Sequence, residues 1–232
     1  MTAALPLFPL GSVLFPGLVL PLHVFEDRYR ALVRDLMALP EEQTREFGVV
    51  AIRRGWEVER VGGGPPGDRT PPTLYEVGCS AELRQVTEGD DGRFDLVTVG
   101  RRRFRVAAVD TGATPYLTAQ VDWLGESAGE PGLADALAPG VLAAFQRYLR
   151  RVRARTDGTG EQLPDDPNVL SYLVAATASL TVEDRQRLLA VPDTASRLRA
   201  ERRLLTREVV LLDHVRAVPV PLSELAVPFA PN

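Results

Sequence analysis

His23 and Glu26 are the first residues whose types and spacing could do chemistry. They stand three positions apart where a helical stretch begins, so the carboxylate could fix the imidazole tautomer. No nucleophile shares that stretch; the nearest serine, Ser12, is separated from them by an apolar run. With Arg28 and Tyr29 the pair reads as a structural tie that holds the first helix against a sheet; ligand contact and catalysis are the lesser alternatives. His214, near the end of the last helical stretch, suits the negative end of a helix dipole. Cys79 alternates with apolar strand residues and reads as a small buried hydrophobe with no reason to ionise. In Val77-Gly78-Cys79-Ser80-Ala81 a cysteine precedes the serine and no second glycine follows, so this is not a nucleophile elbow.

The 232 residues include no lysine: all 27 basic residues are arginine, against 31 acidic ones, for a net charge of −4. Schiff-base chemistry, a Ser–Lys dyad and a phosphate-loop lysine are thereby excluded from this sequence. Gly62-Gly63-Gly64 accordingly lacks the G-K-[ST] that would make it a phosphate loop. Two histidines and one cysteine are too few for a Cys/His zinc site from one chain and forbid an intrachain disulfide. Glu41-Glu42, Asp90-Asp91 and Asp165-Asp166 are adjacent pairs at turns, without the alternation of a calcium loop. We therefore expect no catalytic, cofactor or metal residues, and no enzyme activity. The apolar first twenty residues lack a basic n-region and carry several prolines. They read as strand material, not as a signal peptide or membrane span, which sets the expectation of a cytoplasmic protein without membrane contact.

Arginines form two clusters. Arg101, Arg102, Arg103 and Arg105 fall in a strand, and Arg147, Arg150, Arg151, Arg153 and Arg155 in a helix. Arg101, Arg102, Arg103, Arg105, Arg150 and Arg151 are the candidates for binding an anion, whether phosphate, RNA or acidic peptide. Against that stand two plainer roles, a solvated flank and salt bridges between domains.

The elements that must position these residues are of two kinds. Leu5–Leu10 and Val13–Gly17 read as short apolar strands, and their prolines should place them at a sheet edge or at bulges. Tyr29, Leu32, Val33 and Leu36 recur at helical spacing between Glu26 and Leu39. Phe47–Ile52 is apolar on both faces, Val77–Leu83 alternates, and Asp90-Asp91-Gly92 turns into Phe94–Val99. Phe104, Val106 and Ala108 form one inward face, and Leu117, Ala119, Val121 and Trp123 another. Residues 61–73, rich in Gly and Pro, should be a long loop. After the polar stretch 125–132 the period changes to 3.6, with helices expected at Pro139–Arg155, Pro167–Ser179, Val182–Ala190 and Thr194–Val215. Asp166 before Pro167, Thr181 with Asp184, and Asp193 are the helix-start signals. The expected organisation is a β subdomain over 1–124, a linker over 125–137, a helical subdomain over 138–216 and a proline-rich tail over 217–232.

Leu5-Pro6-Leu7-Phe8-Pro9-Leu10, Val13-Leu14-Phe15-Pro16-Gly17 and Leu20-Pro21-Leu22-His23-Val24-Phe25-Glu26-Asp27-Arg28-Tyr29 together closely resemble the N-terminal, substrate-binding domain of the ATP-dependent Lon protease. Phe47-Gly48-Val49-Val50, Gly100-Arg101-Arg102-Arg103-Phe104-Arg105-Val106 and Glu183-Asp184-Arg185-Gln186 continue the likeness, which covers roughly residues 5–215. The resemblance implies an α+β fold: a PUA-like curled antiparallel sheet or barrel with one helix, then a C-terminal helical bundle. It implies a non-catalytic module that recognises unfolded or extended polypeptide, or a protein partner, without a cofactor. RNA binding through the arginines, the habit of PUA-like cousins, is the alternative. For a peptide, the proline-interrupted segment with Phe8, Phe15, Pro16 and Gly17 is the candidate groove, with Trp123 as a second wall. A core role for Phe8 and Phe15 competes with that assignment, because a small barrel needs large side chains to fill it.

Overall fold

The computed structural model describes residues 2–54, 73–153 and 163–215. Outside these lie the loop expected over 61–73 (apart from Thr73, which lies in a strand), the last residues of the arginine-rich helix and the tail from 217. Two compact units emerge: Met1–Glu126 with Val182–Ala190, and Ser127–Thr181 with Val191–Asn232.

The first unit is a sheet of β1 (Thr2–Leu10), β2 (Val19–Val24), β3 (Glu46–Arg54), β4 (Thr73–Leu74), β5 (Val77–Glu88), β6 (Phe94–Asp110) and β7 (Thr118–Trp123). β1 runs antiparallel to β7 over Thr2–Pro6 and parallel to β3 over Leu7–Leu10. Because β7, β6, β5 and β3 are joined in that order, this change of partner closes the sheet on itself. Each half of β1 is laddered on one side, which is how Pro6 and Pro9, having no N–H to donate, are accommodated.

Val13–Gly17 is not the second strand expected from its apolar run. It forms the connection into β2, with Gly17 at φ +78°. Gly17 N–H donates to Gly100 O at 2.8 Å, and a Cβ placed on Gly100 would lie 2.2 Å from Phe15 O. A close backbone crossing, specified from 83 residues away, thus shapes this segment.

Helix α1 (Asp27–Met37) buries Tyr29, Leu32, Val33 and Leu36, the stripe read from the sequence. Phe8 stacks on Tyr29 with ring centroids 4.0 Å apart. Arg45 donates to the carbonyls of Met37 and Leu39, which the end of α1 leaves without helical partners. A further helix of this unit, Val182–Ala190, packs on β5, and Gln186 Nε2 donates to Val77 O at 2.7 Å.

In chain order the helices are α2 (Leu133–Arg153), α3 (Pro167–Thr177), α4 (Val182–Ala190, just described) and α5 (Thr194–Val215). Of these, α2, α3 and α5 form the expected C-terminal helical bundle, while α4, expected within the helical subdomain over 138–216, belongs to the first unit because it packs on β5. α2 begins six residues before Pro139, the start read from the sequence. Buried Ala134 and Ala138 carry its inward stripe back to Leu133, while Pro139 is exposed. Asp166 caps α3, accepting from the N–H groups of Asn168 and Val169. Within the second unit Arg197 of α5 is buried, donating to Ser171 Oγ at 2.8 Å and Asn168 Oδ1 at 2.6 Å. Glu201, one turn later, is buried too, and neither carboxylate oxygen has a hydrogen-bond partner among the described residues.

Candidate functional site

Phe8 and Phe15 are buried in the first unit and fill its core; Phe8 also lines a cleft beside β2, whereas Phe15 does not. Pro16 is half-buried and Gly17 exposed. Trp123 is half-buried at the end of β7, where it meets Phe104 edge-on and lies under the Arg102 guanidinium, 3.7 Å from its ring centroid. The Cys79 thiol is buried and its pKa is driven up by desolvation, consistent with the inert role read from the sequence.

His23 and Glu26 have different partners. His23 Nδ1 lies 2.7 Å from Asp95 Oδ1, directly across the β2–β6 ladder. Glu26 pairs with Arg28 at 2.8 Å, and the Arg28 guanidinium sits 4.5 Å from the Tyr29 ring centroid. Glu26, Arg28 and Tyr29 thus link the start of α1 to Phe8 of β1, while His23 ties β2 to β6. The Asp95 partnership needed the β2–β6 register, which local sequence does not carry.

The strand arginines are engaged in part. Arg101 pairs with Glu82 at 2.9 Å and Arg102 with Glu46 at 2.7 Å. Arg103 is only 1% exposed, the opposite of an anion-binding surface residue. Its Nε donates to Glu126 Oε1 at 2.7 Å, and its two terminal nitrogens donate to Leu189 O at 2.9 Å and Gly125 O at 3.1 Å. Arg105 is exposed. In the second unit Arg150 is exposed and Arg151 lies 3.3 Å from Asp213.

A concave surface lies along β2; of the residues read as a peptide groove Phe8 lines it, while its β2 residues are not among them. One cleft of about 200 Å³ is walled by Phe8, Leu10, Leu22, Val24 and Tyr29, with His23, Phe25 and Glu26 at its lip. A shallower one of about 460 Å³ lies over Pro21, His23, Gln85, Thr87, Asp95 and Val97. Val19 is 62% and Phe25 45% exposed, two of the large apolar residues left uncovered. Among the described residues β2 is paired with β6 alone, so its other edge is open. Alternation of Val19, Pro21, His23 and Phe25 would have hinted at such a stripe.

The first unit is thus a closed sheet with an open strand edge and apolar clefts beside it, in a chain of the α+β class. Residues 4–207 match the family model for the ATP-dependent protease La (LON) substrate-binding domain, and the chain belongs to that family, with its PUA-like fold. It is 30% identical over 218 residues to Lon protease 2 of Herpetosiphon aurantiacus, covering 91% of this chain and 25% of that protein. Lon protease 2 of Thermus thermophilus is 28% identical over 225 residues, covering 95% and 26% respectively. The chain thus spans about a quarter of the length of these curated relatives. A crystal structure of a Lon N-terminal domain protein from Xanthomonas campestris superposes with a TM-score of 0.55 at 26% identity, covering 88% of this chain and 98% of that one. The N-terminal domain of Mycobacterium avium complex Lon protease has the same fold, with a TM-score of 0.63 at 21% identity over 91% of this chain and 100% of that one. No helix among the described residues is long and apolar enough to cross a membrane.

Proposed function

We propose that the chain recognises unfolded or extended polypeptide in the cleft along β2. The observation that supports this is an apolar hollow beside an open strand edge: Phe8, Leu10 and Tyr29 form its wall and Phe25 its exposed lip. Such a surface offers a partner burial for a side chain and backbone groups for pairing. The lone cysteine, unable to form an intrachain disulfide, fits a reducing compartment such as the cytoplasm. The test is a titration of labelled unstructured apolar peptide and of single-stranded RNA at two ionic strengths. Peptide binding should vary little with salt and fall roughly tenfold in Phe25→Ala, with the melting temperature nearly unchanged. Tighter binding of RNA, steeply weakened by salt, would overturn the reading.

A further inference from the structure

The edge of β2 has a definite hydrogen-bonding phase. Gly100 N–H donates to Leu18 O at 2.9 Å, so the even-numbered residues of β6 turn their backbone groups toward β2. The register then places Leu20, Leu22 and Val24 in the hydrogen-bonded pairs with Thr98, Leu96 and Phe94. Val19, Pro21 and His23 turn their backbone groups the other way, toward the open edge. That edge presents the N–H and C=O of Val19 and His23 and, from Pro21, a C=O alone. A proline at this place blunts indiscriminate pairing between sheet edges while leaving acceptors in line. Exposed Val19 and Phe25 stand at the two ends of the strand.

Charge is uneven along the same edge. At the His23 end stand Asp95, its side chain 72% exposed with one oxygen on His23, and Asp27, 95% exposed and 3.3 Å from Arg30. The Val19 end is apolar, with Val99 opposite it.

We infer that β2 is a docking strand, to which an extended polypeptide adds as one further strand, with apolar side chains at every second position and a cationic residue at the Asp95 end. This deepens the proposed polypeptide recognition and rests on it. Backbone pairing supplies affinity without sequence, and the charged end supplies direction and preference.

The experiment uses the full chain and four labelled ten-residue peptides. They share one alternating apolar sequence and carry Arg, Gln or Glu at one end; the fourth is the Arg peptide with backbone N-methyl groups at alternate positions. The Arg peptide should bind severalfold more tightly than the Gln and Glu peptides, a preference that Asp95→Asn abolishes. N-methylation on the edge-facing positions should weaken binding at least fivefold. Pro21→Val, which restores an outward N–H, should tighten it. If no peptide binds, polypeptide recognition itself fails. If all bind but N-methylation and Pro21→Val change nothing, strand addition is wrong while recognition stands. Equal affinity for the three end charges refutes the cationic preference. If Pro21→Val instead forms dimers that peptide does not compete away, the edge is an interface between copies of this chain, and the inference falls.

Discussion

Arg103→Met is the perturbation that most directly tests how the first unit is held together. Methionine fills most of the volume of the arginine stem, so the cavity contribution is small and the change isolates the guanidinium. Its loss leaves Leu189 O and Gly125 O without their donor. The Leu189 carbonyl is buried, so orphaning it costs about 1–3 kcal/mol, whereas Gly125 is exposed and its carbonyl is rehydrated. Glu126 is 37% exposed, so once released it is rehydrated and adds little. The expected destabilisation is therefore about 1–3 kcal/mol, a sizeable fraction of the ~5–15 kcal/mol typical of a domain. Urea unfolding followed by tryptophan fluorescence should show a lowered midpoint. Hydrogen exchange should show α4 amides losing protection before those of β5. Glu126→Gln should lower stability by no more than about 1 kcal/mol. A loss below ~1 kcal/mol for Arg103→Met, with α4 protection unchanged, would refute the assignment of Arg103 as the clasp.

Gly100→Ala should destabilise by about 1–3 kcal/mol in thermal unfolding, because the added carbon meets the Phe15 carbonyl, a backbone atom that cannot swing aside. Burial pushes the Glu201 carboxyl well above its ordinary value of 4.5, opposed by the Arg197 charge. A raised carboxyl favours the protonated fold, so this contribution is complete below about pH 4.5 and is lost as pH rises through the folded value. Melts from pH 4 to 8 should show Glu201→Gln gaining on the wild type as pH rises, and parallel curves would count against it. From their Gly- and Pro-rich sequence, limited proteolysis is expected to cut first within 61–73, near 125–132 and in the tail from 217; early cuts within Val77–Val106 would contradict the proposed subdomain organisation.

Locally specified features were the legible ones. The bounds of α4 and α5, the Asp166-Pro167 start of α3, the Asp90–Gly92 turn and the α1 stripe each rest on a few neighbouring residues. What could not be read depends on distant partners. Alternation along β6 puts Arg103 on the face opposite Phe104, yet both are buried, because the 125–126 segment and a carbonyl 86 positions later cover that face. His23 and Asp95 meet across 72 positions, and Phe15 is fixed by the backbone at Gly100. The candidate groove shares Phe8 with the cleft but not its β2 residues, for the same reason. Phe8 and Phe15 carry the apolar signal, but the concavity arises where β2 leaves an edge open, a property of strand order and not of any one segment.

The position of α4 has a consequence in time. The chain leaves the first unit at Glu126, returns for Val182–Ala190 and leaves again. During synthesis the strands emerge first, yet the carbonyl that receives Arg103 belongs to Leu189, and the amide that reaches Val77 O belongs to Gln186. A nascent first unit must therefore wait, its arginine without the α4 acceptor, until α2 and α3 have been made. A fragment ending at residue 126 would remain permanently at that waiting stage. An excised first unit needs residues 182–190 rejoined to it, by a short linker or as an added peptide, before its last face is covered.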